Sequence, residues 1–138
     1  MGYDIQNSFN VLPYTVTDQR DTVLNYIRGT GKNYAILISS HGNYEIITMR
    51  RNDLNQYIYP SDITGAWHFV FLDSCYSMAN DSFAQAFRTV GYSNRATLGW
   101  YKSVETPATA IWWKNFKNVV GTTDLRTACL AAADCAAE

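Results

Sequence analysis

Trp67-His68-Phe69-Val70-Phe71-Leu72-Asp73-Ser74-Cys75-Tyr76-Ser77 decides how the chain folds. Its first six residues are apolar or aromatic almost without a break, and oily and polar positions do not alternate. A run this short and continuous reads as a strand buried on both faces, the pattern of a parallel sheet covered by helices. The small polar residues from Asp73 onward end the strand and leave a cysteine just past its C-terminal end. The same pattern recurs on either side. Tyr34-Ala35-Ile36-Leu37-Ile38 lies upstream, between Lys32-Asn33 and Ser39-Ser40, and Ala96 to Tyr101 lies downstream.

The intervening segments carry helical spacing. Val23, Leu24 and Ile27 form one apolar stripe, with Thr17 or Asp18 as N-cap and Gly29 placed to end the helix. Ser82 and Gln85 are spaced as a capping box for a helix running to Val90, which Gly91 closes. Thr106-Pro107 is a cap followed by a first-turn proline, and Ile111, Trp112, Phe116, Val119 and Val120 supply the buried face up to Gly121. An alanine-rich helix spans Asp124 to Cys135. Tyr44 to Met49 adds a small β-rich excursion, and Asp53 to Tyr57 a short helix. Helices alternating with buried strands call for right-handed crossovers. The expected fold is therefore α/β, a three-layer αβα sandwich with a mainly parallel central sheet. At 138 residues it fills one domain, given about 100–200 residues per domain.

Composition excludes several partners. Hydrophobic residues at 47% suffice for a core, and the formal net charge of −1 comes from charges spread without blocks. A nucleic-acid or anionic-membrane partner would leave a basic footprint, so neither is expected. No apolar stretch approaches the roughly 18 residues needed to span a bilayer. Met1 opens on Gly-Tyr-Asp, without the basic and apolar regions of a signal peptide. The three cysteines cannot all pair within one chain. The cysteines form no Cys-x-x-Cys pair, the two histidines lie far apart, and the aspartates lack EF-hand spacing. No metal or cofactor is expected from such a pattern.

In a doubly covered parallel sheet the working residues gather beyond the strand C-termini. Two such loops stand out, Ser39-Ser40-His41-Gly42-Asn43 and Asp73-Ser74-Cys75-Tyr76-Ser77. If their strands are neighbours, His41 and Cys75 face each other across one sheet edge. A thiol with a pKa near 8.5 needs help to become a nucleophile at neutral pH, and an imidazole can take its proton. Gly42 lets the backbone approach closely, and N–H groups there and at Cys75 can hold an oxyanion. The plainer alternative makes Cys75 a small buried hydrophobe and His41 a loop residue. Other cysteine chemistries fail on spacing. A phosphatase loop needs arginine where Asp81 stands, a thioredoxin-type pair needs cysteine where Met78 stands, and a glutaminase elbow needs glycines flanking the cysteine.

Ile38-Ser39-Ser40-His41-Gly42 and Phe71-Leu72-Asp73-Ser74-Cys75-Tyr76-Ser77 resemble the two signature blocks of clan CD cysteine peptidases, the caspase-like fold. Metacaspases and their bacterial relatives carry Ser-Gly-His-Gly after one strand and Asp-x-Cys-His-Ser after the next. The resemblance runs from about Tyr14 to Ala132 by pattern, and only the two blocks are specific. Ser40 stands for a glycine, Tyr76 for a histidine, and no glycine follows Ser77. The family's first strand and helix have no clear counterpart before Tyr14, so the resemblance implies either a minimal fold or an N-terminally truncated one. It implies a cysteine endopeptidase acting on peptide or protein substrates, with His41 and Cys75 as the catalytic dyad. It also implies that Asp73 floors a pocket for an arginine or lysine side chain and that Ser39 lines it. The caspase block Gln-Ala-Cys-x-Gly is absent, which speaks against aspartate specificity. Some relatives need calcium.

Several residues have two readings. Asp73 is either the pocket floor or a turn aspartate capping the next helix. Trp100 and Tyr101, at the end of the third core strand, either wall the cleft or pack at its rim. His68 begins its strand, away from the chemical edge, and reads as structural. Trp112, Trp113 and Phe116 read as helix-to-sheet core. Arg50-Arg51 reads as a solvated turn, self-cleavage there being the alternative. The alternative function is a catalytically silent domain of this fold serving as a binding or assembly module.

Overall fold

The computed structural model describes residues 19–28, 35–119, 122–124 and 126–130. The chain groups into two compact units, which meet in sequence between Ser103 and Val104. The first unit holds the parallel sheet. Its strands are β1 (Ala35–Ser39), β5 (Phe69–Asp73) and β6 (Ala96–Gly99), in the spatial order β1-β5-β6. Both pairings are parallel, with Ala35 opposite Phe69, Ser39 opposite Asp73, and Phe69 opposite Ala96. The three apolar runs in the sequence are thus the three strands of this mixed α/β unit.

One sheet face is closed by helices. Helix α1 (Gln19–Arg28) buries Val23, Leu24 and Ile27, the expected stripe. These pack in one cluster with Ile38, Val70 and Leu72 from the sheet and with Phe83 and Phe87 from α2 (Ser82–Ala86) and its exit. The indole N–H of Trp67 donates to the Ile27 carbonyl (2.8 Å), tying the approach to β5 to the last turn of α1. β1 is less enclosed than its continuous apolar run predicts. Ile38 lies in the core, whereas Leu37, pointing the opposite way, is 51% exposed.

α2 is shorter than expected. Its N-cap is Asp81 rather than Ser82, and Gln85 reaches back to the Asp81 carboxylate (2.8 Å). It stops at Ala86 because Arg88 takes a left-handed conformation (φ 57) and the Thr89 hydroxyl donates to the Ala84 carbonyl. Gly91, also at positive φ, therefore shapes the turn into β6 and does not close the helix.

Between β1 and β5 the excursion forms a second, antiparallel sheet of three short strands. These are β2 (His41–Gly42), β3 (Ile47–Thr48) and β4 (Tyr57–Ile58), in that order. A 3₁₀ turn, Leu54–Gln56, stands where a short helix was expected, with the Asp53 side chain accepting from the Asn55 N–H. Arg20 of α1 clamps this small sheet. Its backbone N–H donates to Gln56 Oε1 (3.0 Å), its Nε to the Tyr57 carbonyl (2.7 Å), and its Nη2 lies 2.9 Å from Asp62 Oδ1.

In the second unit α3 spans Thr106–Val119, so the helix begins at the Thr106-Pro107 pair. Trp112, Trp113 and Phe116 stack on one another, with the Trp112 and Phe116 rings 4.8 Å apart. Ile111 does not belong to a buried face; it is exposed. Residues 126–130 are helical, and the Asp124 carboxylate caps them by accepting from the Thr127 N–H and hydroxyl. The expected roles of Thr17, Asp18, Gly29, Val120, Gly121 and Cys135 lie outside the described residues. Among the described residues no helix is long and apolar enough to cross a membrane.

Candidate active site

Parallel pairing of β1 with β5 sets the site. Ser39 and Asp73 are register partners at the strand C-termini, and His41 and Cys75 each follow two residues later. The ladder runs one step further, the Ser40 N–H donating to the Asp73 carbonyl (3.1 Å). His41 then leaves the main sheet and pairs with Thr48 as the first residue of β2. His41 and Cys75 line one open cleft of about 210 Å³, together with Gly42, Asn43, Ile46, Thr48, Arg51, Asn52 and Tyr57. A cleft this small holds a side chain and a stretch of backbone, and falls below the roughly 300–1,000 Å³ of cofactor pockets.

The cysteine loop is fixed from both sides. Tyr76 N–H donates to the Lys102 carbonyl and Met78 N–H to the Trp100 carbonyl, each at 3.0 Å, so the loop runs along the exit of β6. Ser77 is buried, and its hydroxyl donates to the Leu72 carbonyl while accepting from the Trp100 N–H. Gly99 is required here, since a Cβ would meet Ser77 Oγ and Met78 Cγ. Tyr76, at φ 56, turns the chain immediately after the cysteine, in a conformation rare for a bulky residue. Such outliers store strain that the surrounding bonds must hold, and they concentrate at functional sites. Cys75 is half-buried, with Sγ 3.5 Å from Ser103 Oγ.

Gly42 makes the close approach its position suggests. A Cβ there would collide with the Ile46 carbonyl oxygen and with Ser74 Oγ. Ser74 is a residue that the sequence did not single out. Its hydroxyl is buried with no hydrogen-bond partner among the described residues, and a serine beside a cysteine carries no signal of this.

Asp73, Ser39 and Trp100 come together. The Ser39 hydroxyl donates to Asp73 Oδ2 (2.8 Å), and the Trp100 indole N–H donates to Asp73 Oδ1 (3.1 Å). The Trp100 ring lies 6.3 Å from that of Phe71, tilted by 59°. Asp73 is half-buried, and its oxygens face these two donors rather than α2, which begins at Ser82 behind Asn80 and Asp81. The helix-cap reading of Asp73 therefore fails. Tyr101 is 70% exposed and stands clear of this cluster's hydrogen bonds.

His68 lies at the opposite end of the sheet, where its carbonyl accepts from the Ala96 N–H (2.8 Å). Arg50 pairs with Asp53 across a turn (3.7 Å), whereas Arg51 lines the cleft. Among the described residues no three of His, Cys, Asp and Glu gather as a metal site would require. Compared with protein-family models, curated proteins and solved structures, the chain matches none of them.

Proposed function

We propose that the protein is a cysteine endopeptidase of caspase-like, three-layer αβα architecture that cuts after arginine or lysine. One observation carries this reading. His41 and Cys75 line the same cleft, two residues beyond register partners on neighbouring parallel strands. His41 accepts the thiol proton as Cys75 Sγ attacks the scissile carbonyl carbon. The carbonyl π electrons move to oxygen, and the N–H groups of Gly42 and Cys75 stabilise that oxyanion. Collapse breaks the C–N bond, and the imidazolium returns the proton to the leaving amine. Water, deprotonated by His41, then hydrolyses the thioester. Asp73, with Ser39 and Trp100 fixing its carboxylate, supplies the charge that selects a guanidinium or ammonium.

The test is an electrophilic peptide ketone bearing lysine or arginine, followed by intact mass and peptide mapping. A single adduct on Cys75 that disappears in His41→Ala is expected. Labelling of Cys129 at the same rate as Cys75, or labelling indifferent to His41, would favour a catalytically silent binding module instead.

A further inference from the structure

Asp73 does not line the cleft that holds His41 and Cys75, and among the described residues neither does any other Asp or Glu. The formal charge among its lining residues comes from Arg51. Arg51 sits in a turn braced at several points. Arg50 and Asp53 close the turn as an ion pair (3.7 Å), and the Thr48 hydroxyl donates to the Arg50 carbonyl (2.7 Å). Met49 N–H donates to the Gln56 carbonyl and Gln56 N–H to that of Asp53. Asn52, at φ 62, adopts the left-handed conformation that asparagine tolerates better than most residues. The backbone under Arg51 is thus held in place, while its neighbour Arg50 already has a carboxylate. Among the described residues no carboxylate lies within ion-pair distance of Arg51. Asn43 adds a neutral donor on the same wall. Its side-chain oxygen accepts from the N–H groups of Glu45 (2.7 Å) and Ile46 (2.9 Å), which leaves the amide NH₂ for a ligand.

We infer that Arg51 is a specificity residue that binds a carboxylate of the substrate, so that the preferred peptide carries an acidic side chain close to its basic cleavage residue. The inference rests on the peptidase reading of the cleft and deepens it. The substrate is dipolar along its length, with its cation at Asp73 and its anion at Arg51. A guanidinium and a carboxylate form paired, charge-assisted hydrogen bonds, and the Asn43 amide can donate a further one. Because Arg51 is exposed, solvent screening keeps the gain modest.

Fluorescein-labelled peptides with one central arginine, and with glutamate, glutamine or lysine at each flanking position in turn, test it. Binding is read by anisotropy on full-length Cys75→Ala protein, where turnover plays no part, and cleavage is followed separately on the unaltered protein. At low ionic strength glutamate at one position should tighten binding roughly three- to fivefold over glutamine. The gain should fade at high salt, vanish in Arg51→Gln and pass to lysine in Arg51→Glu. Absence of binding, absence of any glutamate preference, or a preference that survives in Arg51→Gln would overturn the role of Arg51. Glutamate-selective binding without cleavage of any peptide would uphold Arg51 and refute the peptidase reading.

Discussion

Replacing Asp73 by asparagine separates charge from shape at the proposed pocket floor. In the folded protein one carboxylate oxygen accepts from the Ser39 hydroxyl and the other from the Trp100 indole. An asparagine can keep both contacts. Its carbonyl oxygen accepts from Trp100, and its NH₂ donates to Ser39 Oγ, whose hydroxyl is free to rotate. With both bonds retained and the group half-buried, stability should change by less than about 1 kcal/mol. A bound arginine substrate loses far more, because neutral amide replaces anion opposite its guanidinium. Removing one partner of a fully buried pair costs about 3–5 kcal/mol. Asp73 is only half-buried, so a hydrogen bond to a charged group, about 1.5–3 kcal/mol, is the better guide. That is roughly 10- to 150-fold in kcat/KM. The assay compares arginine, lysine, glutamine and aspartate fluorogenic peptides on both proteins beside a thermal melt. The loss should fall on the two basic peptides alone, and alkylation of Cys75 should keep its rate. An unchanged preference for basic peptides in Asp73→Asn would refute the pocket assignment.

Three further outcomes follow from the local geometry. Gly42→Ala drives a methyl group into the Ile46 carbonyl oxygen and Ser74 Oγ, so chemical denaturation should show a loss of about 1–3 kcal/mol; an unperturbed midpoint would mean the strand end gives way freely. Ser74→Ala removes a buried hydroxyl with no hydrogen-bond partner among the described residues, so the melting temperature should hold or rise; a loss of more than about 1 kcal/mol would show that the hydroxyl is bonded after all. Burial raises the Cys129 thiol above its ordinary value. Its neutral form is favoured on folding, so the stabilisation is fully present below the unfolded pKa and is lost as pH rises through the folded one. Iodoacetamide should accordingly modify Cys129 more slowly in the folded protein than in urea at about pH 8–9, and equal rates would contradict that placement.

The long apolar runs were legible because burial leaves a strong mark on sequence. Phe69–Asp73, Ala35–Ser39 and Ala96–Gly99 all emerge as strands, and their parallel pairing brings Ser39 opposite Asp73. The second sheet was only partly legible. Each of its strands is two residues long, too short to show a period, so the sequence alone puts His41 in a loop, whereas it is the first residue of β2. The early end of α2 was hidden for a different reason. Arg88 has no intrinsic preference for a positive φ; helix-ending bonds from Thr89 to the Ala84 carbonyl accompany it, with the Thr89 hydroxyl also bonded to Thr97 of β6. Of the candidate site, the bond from Trp100 to Asp73 links residues 27 positions apart, which no local pattern encodes. Arg51 was visible as a charge, but its place in the cleft depends on the turn that carries it.

The clamp that Arg20 places on the small sheet bears on how the proposed activity would be lost. His41 belongs to β2, whereas Cys75 hangs from the main sheet between β5 and the exit of β6. The two halves of the dyad thus ride on separate hydrogen-bonded ladders. Proteins open in cooperative pieces of unequal stability, and a sheet of two-residue strands sits at the weak end of that range. Slow amide exchange should therefore persist along β5 under conditions where β2, an outer strand of the small sheet, already exchanges freely, since Ile47 of β3 and Ile58 of β4 are fully buried in the core cluster. On warming, the proposed chemistry should fade as β2 loosens, while β3 and β4, held by Arg20 through Gln56, Tyr57 and Asp62, stay with the core.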